Sequence, residues 1–368
     1  MAKTEDQHEL KLPYYAKVSF ILIGLFVLMS MLAICRSIVV PILFSLIISI
    51  LLSTAVDFLV SIKVNRLLAI SITLFIGAMI VIMFGMWVIS QASLLIENWP
   101  VLMDKLDVLQ ENLVRWLNGH FGLTYSKANN WINSARADLM TLSSEKVGNA
   151  LSAIMNGLVV IILIPIYIFL ILYYQPLLVD FVHRVIGDGH ANEVGVVLDQ
   201  TRTILKAYFV GLLIELVILA ILNSIGLLII GIDYAILIGI AGAVLNLVPY
   251  LGGLIMLGLS MLMALLTKDD PSYALYAAIV FFIIQIIDNY FLLPRIVGSK
   301  VKINALVSIA VVIAGGAIWG VAGMFLAIPV TAIIKVIFDR IPALEPWGFL
   351  LGDTMPPMVR LKLRRRKK

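Results

Sequence analysis

Four long runs of residues without a charged side chain dominate the first half of the chain. The runs are Val18–Cys35, Ser37–Val56, Leu67–Gln91 and Ala153–Tyr174. A helix of about 20 apolar residues crosses the roughly 30 Å hydrocarbon core of a bilayer, and helices satisfy their backbone hydrogen bonds internally where water is absent. These runs therefore predict an all-α polytopic membrane protein.

Amino-acid composition and charge agree with a membrane environment. Hydrophobic residues make up 62% of the chain and charged residues 13%, with a mean hydropathy of +1.06, whereas soluble domains are about half apolar and about a quarter charged. The net charge is +5, but seven of the 27 lysines and arginines lie between Arg360 and Lys368. Such a basic tail is typical of a cytoplasmic membrane surface, and we expect no nucleic-acid partner.

The N-terminus resembles a signal peptide but lacks the features of a cleaved one. Lys3, Lys11 and Lys17 precede the first apolar run, as they would in a signal peptide. Ile34, rather than a small residue, stands before Cys35, and a second apolar run follows directly. We therefore expect an uncleaved first helix, with both chain termini in the cytoplasm.

The apolar runs divide the chain into five parts. They are three N-terminal spans (1–92), a polar insert (93–150), a fourth span with a polar cytoplasmic loop (151–206), a transport core (207–340) and a basic cytoplasmic tail (341–368). In the insert, leucines from Leu102 to Leu113 recur every three or four residues, which predicts a small helical extramembrane domain. Two interpretations of the insert stay open: a gate, or a helical hairpin that packs on its neighbours.

Two later apolar runs are too long for one simple span. Tyr234–Thr267 has 34 residues without a charge, or about 50 Å of helix, and Ala305–Ile334 is similarly long. Proline and glycine interrupt both runs, as expected where helices break. The candidate break residues are Pro249, Gly252, Gly253, Gly315, Gly316, Gly320 and Gly323. Interrupted helices point to a transport site, because unwound backbone at membrane depth needs a cavity or a protein environment.

The distribution of positive charge distinguishes two topologies for these broken runs. If each run crosses the membrane fully, Arg295, Lys300 and Lys302 fall outside the cell. If each run is a re-entrant hairpin, these three cations fall inside and only Lys268 stays outside. The positive-inside rule favours hairpins. The predicted fold therefore has about six full transmembrane helices and two Gly/Pro-broken hairpins.

Signatures of enzymes and of bound cofactors are missing from the sequence. It contains no Gly-x-Ser-x-Gly elbow, no His-Glu-x-x-His helix and no phosphate-binding Gly-x-x-x-x-Gly-Lys loop. The single cysteine, Cys35, excludes an intramolecular disulfide and a thiolate metal cluster. We expect no enzyme activity, no cofactor and no metal site, and transport driven by a gradient or by facilitated diffusion.

Ionisable and polar side chains inside the apolar runs are the candidate functional groups, because charge at membrane depth is costly. Glu215 lies in the fifth span and is interpreted either as a proton carrier or as a hydrogen-bonded structural carboxyl. Asn246 lies at the first helix break.

A second polar cluster lies late in the Tyr273–Leu293 helix. Asp288 stands there with Gln285 and Asn289, and Arg295 follows one to two turns on. Arg295 is expected either to neutralise Asp288 as a structural ion pair or to leave it as a cation or proton site that faces the broken hairpins.

The second half of the chain carries motifs that identify a family resemblance. The motifs are Gln285-x-x-Asp288-Asn289-x-x-x-x-Pro294-Arg295-x-x-Gly298, Asn304-x-Leu306, Gly315-Gly316, Trp319-Gly320, Gly323, Leu326-Ala327-Ile328-Pro329, Leu245-Asn246-Leu247-Val248-Pro249-Tyr250-Leu251-Gly252 and Gly231-Ile232-Asp233-Tyr234-Ala235. They resemble the C-terminal signature, the Pro-Tyr-Ile-Gly motif and the Gly-x-x-Tyr-Ala turn of the autoinducer-2 exporter (AI-2E) family of permeases. The likeness extends over nearly the whole chain.

The resemblance implies a multi-pass permease of a bacterial cytoplasmic membrane that forms a homo-oligomer, with a pentamer as one candidate. It implies export of small organic signals or, in some members, exchange of sodium for protons. This chain departs from the family at Gly211-Leu212, where a Gly-Gln pair is expected, and Glu215 follows one turn later.

Secondary export of a small polar organic molecule is the leading functional prediction, and sodium or lithium/proton antiport is the alternative. Export requires a pocket formed by Asn246, Gln285 and Asn289, whereas antiport requires a titrating carboxylate such as Asp288. A membrane scaffold that binds partners through the insert is a second alternative. For transport, we predict that the hairpins and the Tyr273–Leu293 helix move together against the N-terminal spans.

Overall fold

The computed structural model describes residues 13–97, 105, 115, 162–186, 191–248, 251–298 and 302–354. These residues form α1 (Tyr14–Ile34), α2 (Arg36–Ser61), α3 (Arg66–Glu97), α4 (Ile162–Tyr173), α5 (Gln175–Ile186), α6 (Ala191–Ile230), α7 (Ala235–Asn246), α8 (Leu251–Thr267), α9 (Ser272–Ile287), α10 (Ala305–Trp319), α11 (Val321–Phe338) and α12 (Glu345–Leu351). No β-strand occurs in this part of the chain beyond one isolated bridge between Ile303 and Gly352. The all-α prediction is confirmed.

The apolar helices are long enough to make a multi-pass membrane protein. Among the described residues, six helices have the length and composition to cross a bilayer: α1, α2, α3, α6, α11, and α9 with its extension to Ile296. A further candidate is the α4–α5 pair, which bends by 65° between its two helices. α11 pairs with α10 in a hairpin, so α1, α2, α3, α6 and α9 are the simple spans, and the bent α4–α5 pair is the candidate for the predicted fourth span.

The first overlong run folds into a hairpin made of α7 and α8. Asp233, which precedes α7, forms an ion pair with Lys268, which follows α8, at 3.7 Å. A Cβ added to Gly252 would overlap the carbonyl of Leu245, so the two arms touch through their backbones near the tip. The run therefore returns to the end at which it began, as the positive charges predicted.

The second overlong run folds into a hairpin made of α10 and α11. Gly320 joins the arms in one residue, with φ +65° and ψ −144°, a conformation open to glycine alone. Gly315 and Gly323 bring the two backbones together, because a Cβ on either would overlap the other's carbonyl. Gly316 lies against the flexible side chain of Met324.

The predicted break glycines therefore have two different roles. Gly320 is the break of the second hairpin, whereas Gly315, Gly316 and Gly323 lie inside helices at the contact between the arms. In the first hairpin α7 ends at Asn246, and α8 begins at Leu251. Gly252 and Gly253 thus follow the break, and Pro249 lies outside the described residues. The sequence pattern did not separate these roles, because both a helix break and a close helix contact select glycine.

The two hairpins open toward opposite ends of the bundle. At the base of the second hairpin, Lys335 on α11 and Asp199 near the start of α6 line one cavity. The whole of α6, from Ala191 to Ile230, has 40 residues, or about 60 Å. It ends beside the base of the first hairpin, where Gly231 approaches Lys268. We call these two ends of the bundle the Lys335 end and the Lys268 end.

The segment predicted as a polar loop after the fourth span is helical. α5 and the first turns of α6 occupy most of it. Arg66 fixes the bend before α5 by donating hydrogen bonds of 3.0 Å to the carbonyl of Leu172 and to Gln175 Oε1. Charge density suggested a loop, but the apolar residues of α5 recur at helical spacing, so the segment forms an amphipathic helix.

Most of the 93–150 insert and the basic residues Arg360–Lys368 lie outside the described residues, so the predictions for them stay predictions. Within the insert, residues 93–97, Lys105 and Arg115 are described. α3 continues to Glu97, and Lys105 lies 3.4 Å from Asp269 in the loop that follows α8. The start of the insert therefore reaches the Lys268 end of the first hairpin.

Candidate functional site

Two buried acidic side chains meet where α6 packs against the end of α9. Glu215 on α6 is 6% exposed, and Asp288, which follows α9, is 3% exposed. Their carboxyl groups are close enough for one, when protonated, to donate a hydrogen bond to the other. Two carboxylates buried side by side repel each other unless a proton or a cation lies between them. We call these two residues the carboxyl pair.

The first hairpin contributes an amide to the carboxyl pair. Asn246 is the last residue of α7, and its Nδ2 donates a hydrogen bond of 3.1 Å to Asp288 Oδ2. A hydrogen bond to an ionised carboxylate is stronger than one between neutral groups. The break of the first hairpin is therefore joined directly to the buried acid.

Each member of the carboxyl pair keeps one oxygen without a protein donor. Glu215 Oε2 and Asp288 Oδ1 are buried and have no hydrogen-bond partner within the described parts of the chain. Buried polar atoms are nearly always satisfied in native proteins, and each exception calls for an explanation such as a bound ion or proton. These two oxygens are therefore positioned to hold a proton or a cation.

Asp288 begins a stretch of π-helix that interrupts the regular geometry of α9. The π-helical turns are Asp288–Leu292 and Pro294–Gly298. Pro294 has no N–H to donate to the carbonyl of Tyr290, so the regular α-helical pattern fails at this point. Such turns concentrate at functional sites because they re-aim side chains. The π-helical turns were not predicted from the sequence, in which Pro294, six residues after Asp288, was the available signal.

Two glycines allow the neighbouring backbones to approach the site. A Cβ added to Gly211 would lie 2.8 Å from the carbonyl of Ile296 in the second π-helical turn. A Cβ added to Gly253 would lie 3.3 Å from Gln285 Oε1. The Gln285 amide therefore lies between α8 and α9, and Gln285 precedes Asp288 by one helical turn on the same helix.

Apolar residues surround the carboxyl pair on both sides along the bundle. Toward the Lys268 end, Leu219, Ala243 and Ile284 form a buried cluster. Toward the Lys335 end lies a larger cluster that includes Tyr208, Leu212, Leu326, Leu247 and Ile296, which we call the inner cluster. Water is excluded from such surroundings, so electrostatic interactions at the pair are stronger than in solvent.

Two predicted site residues have exposed side chains, unlike the buried pair. Asn289 is exposed, because one helical step rotates a side chain by about 100° from its neighbour. Arg295 is also exposed, and its guanidinium carbon lies 6.0 Å from the centre of the Phe291 ring. The neighbour that the structure shows bonded to Asp288 is Asn246. In the described residues, no group of three or more His, Cys, Asp or Glu side chains is placed to bind a metal.

Comparison with known proteins identifies the family. The sequence model of the AI-2E transporter family matches residues 20–343. This range includes both hairpins and the carboxyl pair. The chain belongs to the AI-2E transporter family. Its membrane helices and family membership together show a multi-pass membrane protein with a transport role.

Curated relatives in the AI-2E family carry transport names. "Putative transport protein YueF" of Bacillus subtilis (strain 168) is 27% identical over 259 residues, which cover 69% of this chain and 70% of that protein. "Putative transport protein YrrI" of the same strain is 27% identical over 255 residues, covering 66% and 72%. "Putative permease PerM" of Escherichia coli (strain K12) is 25% identical over 264 residues, covering 69% and 72%.

Proposed function

We propose that this protein is a secondary transporter that exchanges sodium or lithium ions for protons at the carboxyl pair. One observation carries the proposal: Glu215 and Asp288 are buried side by side, and each has a carboxylate oxygen without a hydrogen-bond partner among the described residues. An ionisable group inside a membrane bundle marks an ion or proton pathway by default. The pair supplies two such groups in one place.

Competition between a cation and a proton follows from the chemistry of the pair. When both carboxyl groups are ionised, their oxygens and the nearby amides of Asn246 and Gln285 form an oxygen-rich environment of the kind that hard cations bind. When a proton is shared between the carboxyl groups, the negative charge that attracts the cation is reduced. Binding one ion therefore opposes binding the other, which is the requirement for antiport.

Export of a small polar organic molecule is the second candidate. It is supported by the ending of α7 at Asn246, because the last carbonyl groups of a helix lack intrahelical partners and can accept hydrogen bonds from a solute. Asn289, which this candidate places in the pocket, is exposed, so the buried geometry supports antiport better. A scaffold role finds no support in the site.

The location and assembly of the protein complete the proposal. The transporter lies in a bacterial cytoplasmic membrane, with both termini and the Lys335 end in the cytoplasm and the Lys268 end outside. It works as a homo-oligomer, with a pentamer as one candidate. The first hairpin moves with α9, because the Asn246–Asp288 hydrogen bond joins them.

The proposal is tested in everted membrane vesicles that carry a pH-sensitive dye. Addition of sodium or lithium should release protons from vesicles with the native protein, and Asp288→Asn and Glu215→Gln should each remove this signal. Asn289→Ala is the matched control, because Asn289 is the exposed neighbour of Asp288. Cation-driven proton movement that persists in both acid variants would exclude antiport at the carboxyl pair. A screen of polar metabolites would then test whether the protein exports a small organic molecule.

A further inference from the structure

A polar cavity of about 520 Å³ lies at the Lys335 end, between α6, α11 and the segment before α10. Its polar walls come from all three: Asp199, Gln200, Thr203, Lys302, Lys335 and Asp339. Lys335 and Asp339 form an ion pair within this set. A cavity with both signs of charge in its walls is hydrated, and it is large enough for a cation that retains its water shell.

The cavity and the carboxyl pair lie along one face of α6. Gln200 and Ile204 line the cavity, and Tyr208, Gly211 and Glu215 follow them at intervals of three and four residues. We call these five residues the α6 stripe. At 100° per residue these five positions fall within a sector of about 80°, and Glu215 lies about 22 Å beyond Gln200 along the helix. A straight route along α6 therefore joins the cavity to the carboxyl pair.

The inner cluster closes this route. Ile204 and Ala332 belong both to the cavity wall and to the cluster. Leu247, beside Asn246, and Ile296, in the second π-helical turn, belong to the same cluster. A continuous apolar layer thus lies between the hydrated cavity and the carboxyl pair. Apolar constrictions of this kind stop hydrated ions because ions lose their water only where other ligands replace it.

Tyr208 is the member of the inner cluster that combines a position on the α6 stripe with a polar group. The side chain is 4% exposed, and Glu215 is the carboxylate that acts electrostatically on its hydroxyl group. A phenol has an apolar ring that fills a constriction and a hydroxyl that can contact a cation when the ring turns.

We propose, on the basis of the antiport function above, that the cavity is the inner vestibule for hydrated monovalent cations and that Tyr208 is the gate between it and the carboxyl pair. In the closed state the Tyr208 ring separates the two compartments. Rotation of the ring away from the α6 stripe connects them.

Phe209 provides a matched control for the gate. Its ring packs edge-on against Tyr208, with centroids 5.1 Å apart, and lies 5.8 Å from Phe325. Phe209 is buried in the same cluster, but it lies about 100° around the helix from Tyr208. Truncating Phe209 removes a similar apolar volume from the cluster without opening the α6 stripe.

Thiol labelling tests the gate without requiring transport. Cys35 is the single cysteine of the sequence, so Cys35→Ser gives a background in which Thr203→Cys reports on the vestibule and Glu215→Cys reports on the carboxyl pair. A membrane-impermeant maleimide is added to the vesicle face that exposes the Lys335 end. Thr203→Cys should label rapidly and Glu215→Cys at least tenfold more slowly.

Substitutions at the gate should change the labelling rate of Glu215→Cys but not that of Thr203→Cys. Tyr208→Ala should raise labelling of Glu215→Cys at least tenfold, whereas Tyr208→Phe, which keeps the ring, and Phe209→Ala should leave it slow. If Tyr208→Ala fails to insert, Tyr208→Val takes its place. The proposal is overturned if Thr203→Cys resists labelling from both faces, or if Glu215→Cys labels equally in all backgrounds. The antiport assay is independent of this test, because Asp288→Asn should still abolish cation-driven proton release if Tyr208 is not the gate.

Discussion

The amide nitrogen of Asn246 lies 3.1 Å from Asp288 Oδ2, so the last residue of α7 is bonded to the first residue of the π-helical turn. A hydrogen bond to a carboxylate weakens when the carboxylate gains a proton and loses its charge. The charge state of Asp288 therefore controls how firmly the first hairpin is held against α9. This relationship provides a physical link between ion binding and the strength with which the first hairpin is coupled to α9.

Loss of the Asn246 amide should weaken cation binding. A hydrogen bond to a charged group contributes about 1.5–3 kcal/mol, which corresponds to about a ten- to a hundredfold change in affinity. We expect Asn246→Ala to raise the sodium concentration for half-maximal proton release by this factor. The dye assay in everted vesicles measures it, and Asn289→Ala should match the native protein. If Asn246→Ala left the half-maximal sodium concentration unchanged, the first hairpin would not contribute to cation binding.

The turn of the second hairpin should require glycine at position 320. Gly320 has φ +65° and ψ −144°, and no atom lies within 4 Å of an added Cβ, so the penalty for Gly320→Ala is conformational strain of about 1–3 kcal/mol. Gly258 in α8 also has open space around it but has helical geometry, and Gly258→Ala should be neutral or stabilising. Thermal unfolding of the two variants in detergent compares them. Equal stability would contradict the assigned turn.

Adjacent glycines in α10 should respond differently to the same substitution. A Cβ on Gly315 would overlap the backbone carbonyl of Gly323, whereas a Cβ on Gly316 would meet Met324 Cε at 2.5 Å. The methionine side chain can move and the backbone cannot. We expect Gly315→Ala to lower stability by about 1–3 kcal/mol and Gly316→Ala by less. The reverse order in thermal unfolding would show that the arms of the second hairpin pack in another register.

Cysteines at the bases of the two hairpins should label from opposite sides of the membrane. In a Cys35→Ser background, Lys268→Cys should react with an impermeant maleimide outside intact cells. Lys302→Cys should react only in everted vesicles, because the base of the second hairpin lies at the Lys335 end. Labelling of both positions from one side would contradict the opposed hairpins.

The spans and hairpins were predictable because they depend on local properties of the sequence. An apolar run such as Leu67–Gln91 crosses a bilayer whatever its neighbours are. The hairpin in Tyr234–Thr267 followed from its excess length and from the positions of three cations relative to Lys268. Neither inference required knowledge of which helices touch.

The pairing of Glu215 with Asp288 was not predictable, because it depends on how α6 and α9 are rotated against each other. The π-helical turn at Asp288 also changes the direction of the side chains that follow. Asn289 illustrates the sensitivity: it adjoins Asp288 in sequence but is exposed. Similarly, glycine at positions 252 and 315 indicated special backbone requirements, but the contacts that explain them, with Leu245 and Gly323, are tertiary.

Proton release from the purified protein on cation binding tests the central claim most directly. Sodium or lithium is added to the detergent-solubilised transporter in a weakly buffered solution near neutral pH, and a soluble indicator follows the proton concentration. The native protein and Asn289→Ala should release protons in proportion to the cation bound, whereas Asp288→Asn should release none. Cation binding without proton release in the native protein, or equal release in Asp288→Asn, would contradict competition at the carboxyl pair.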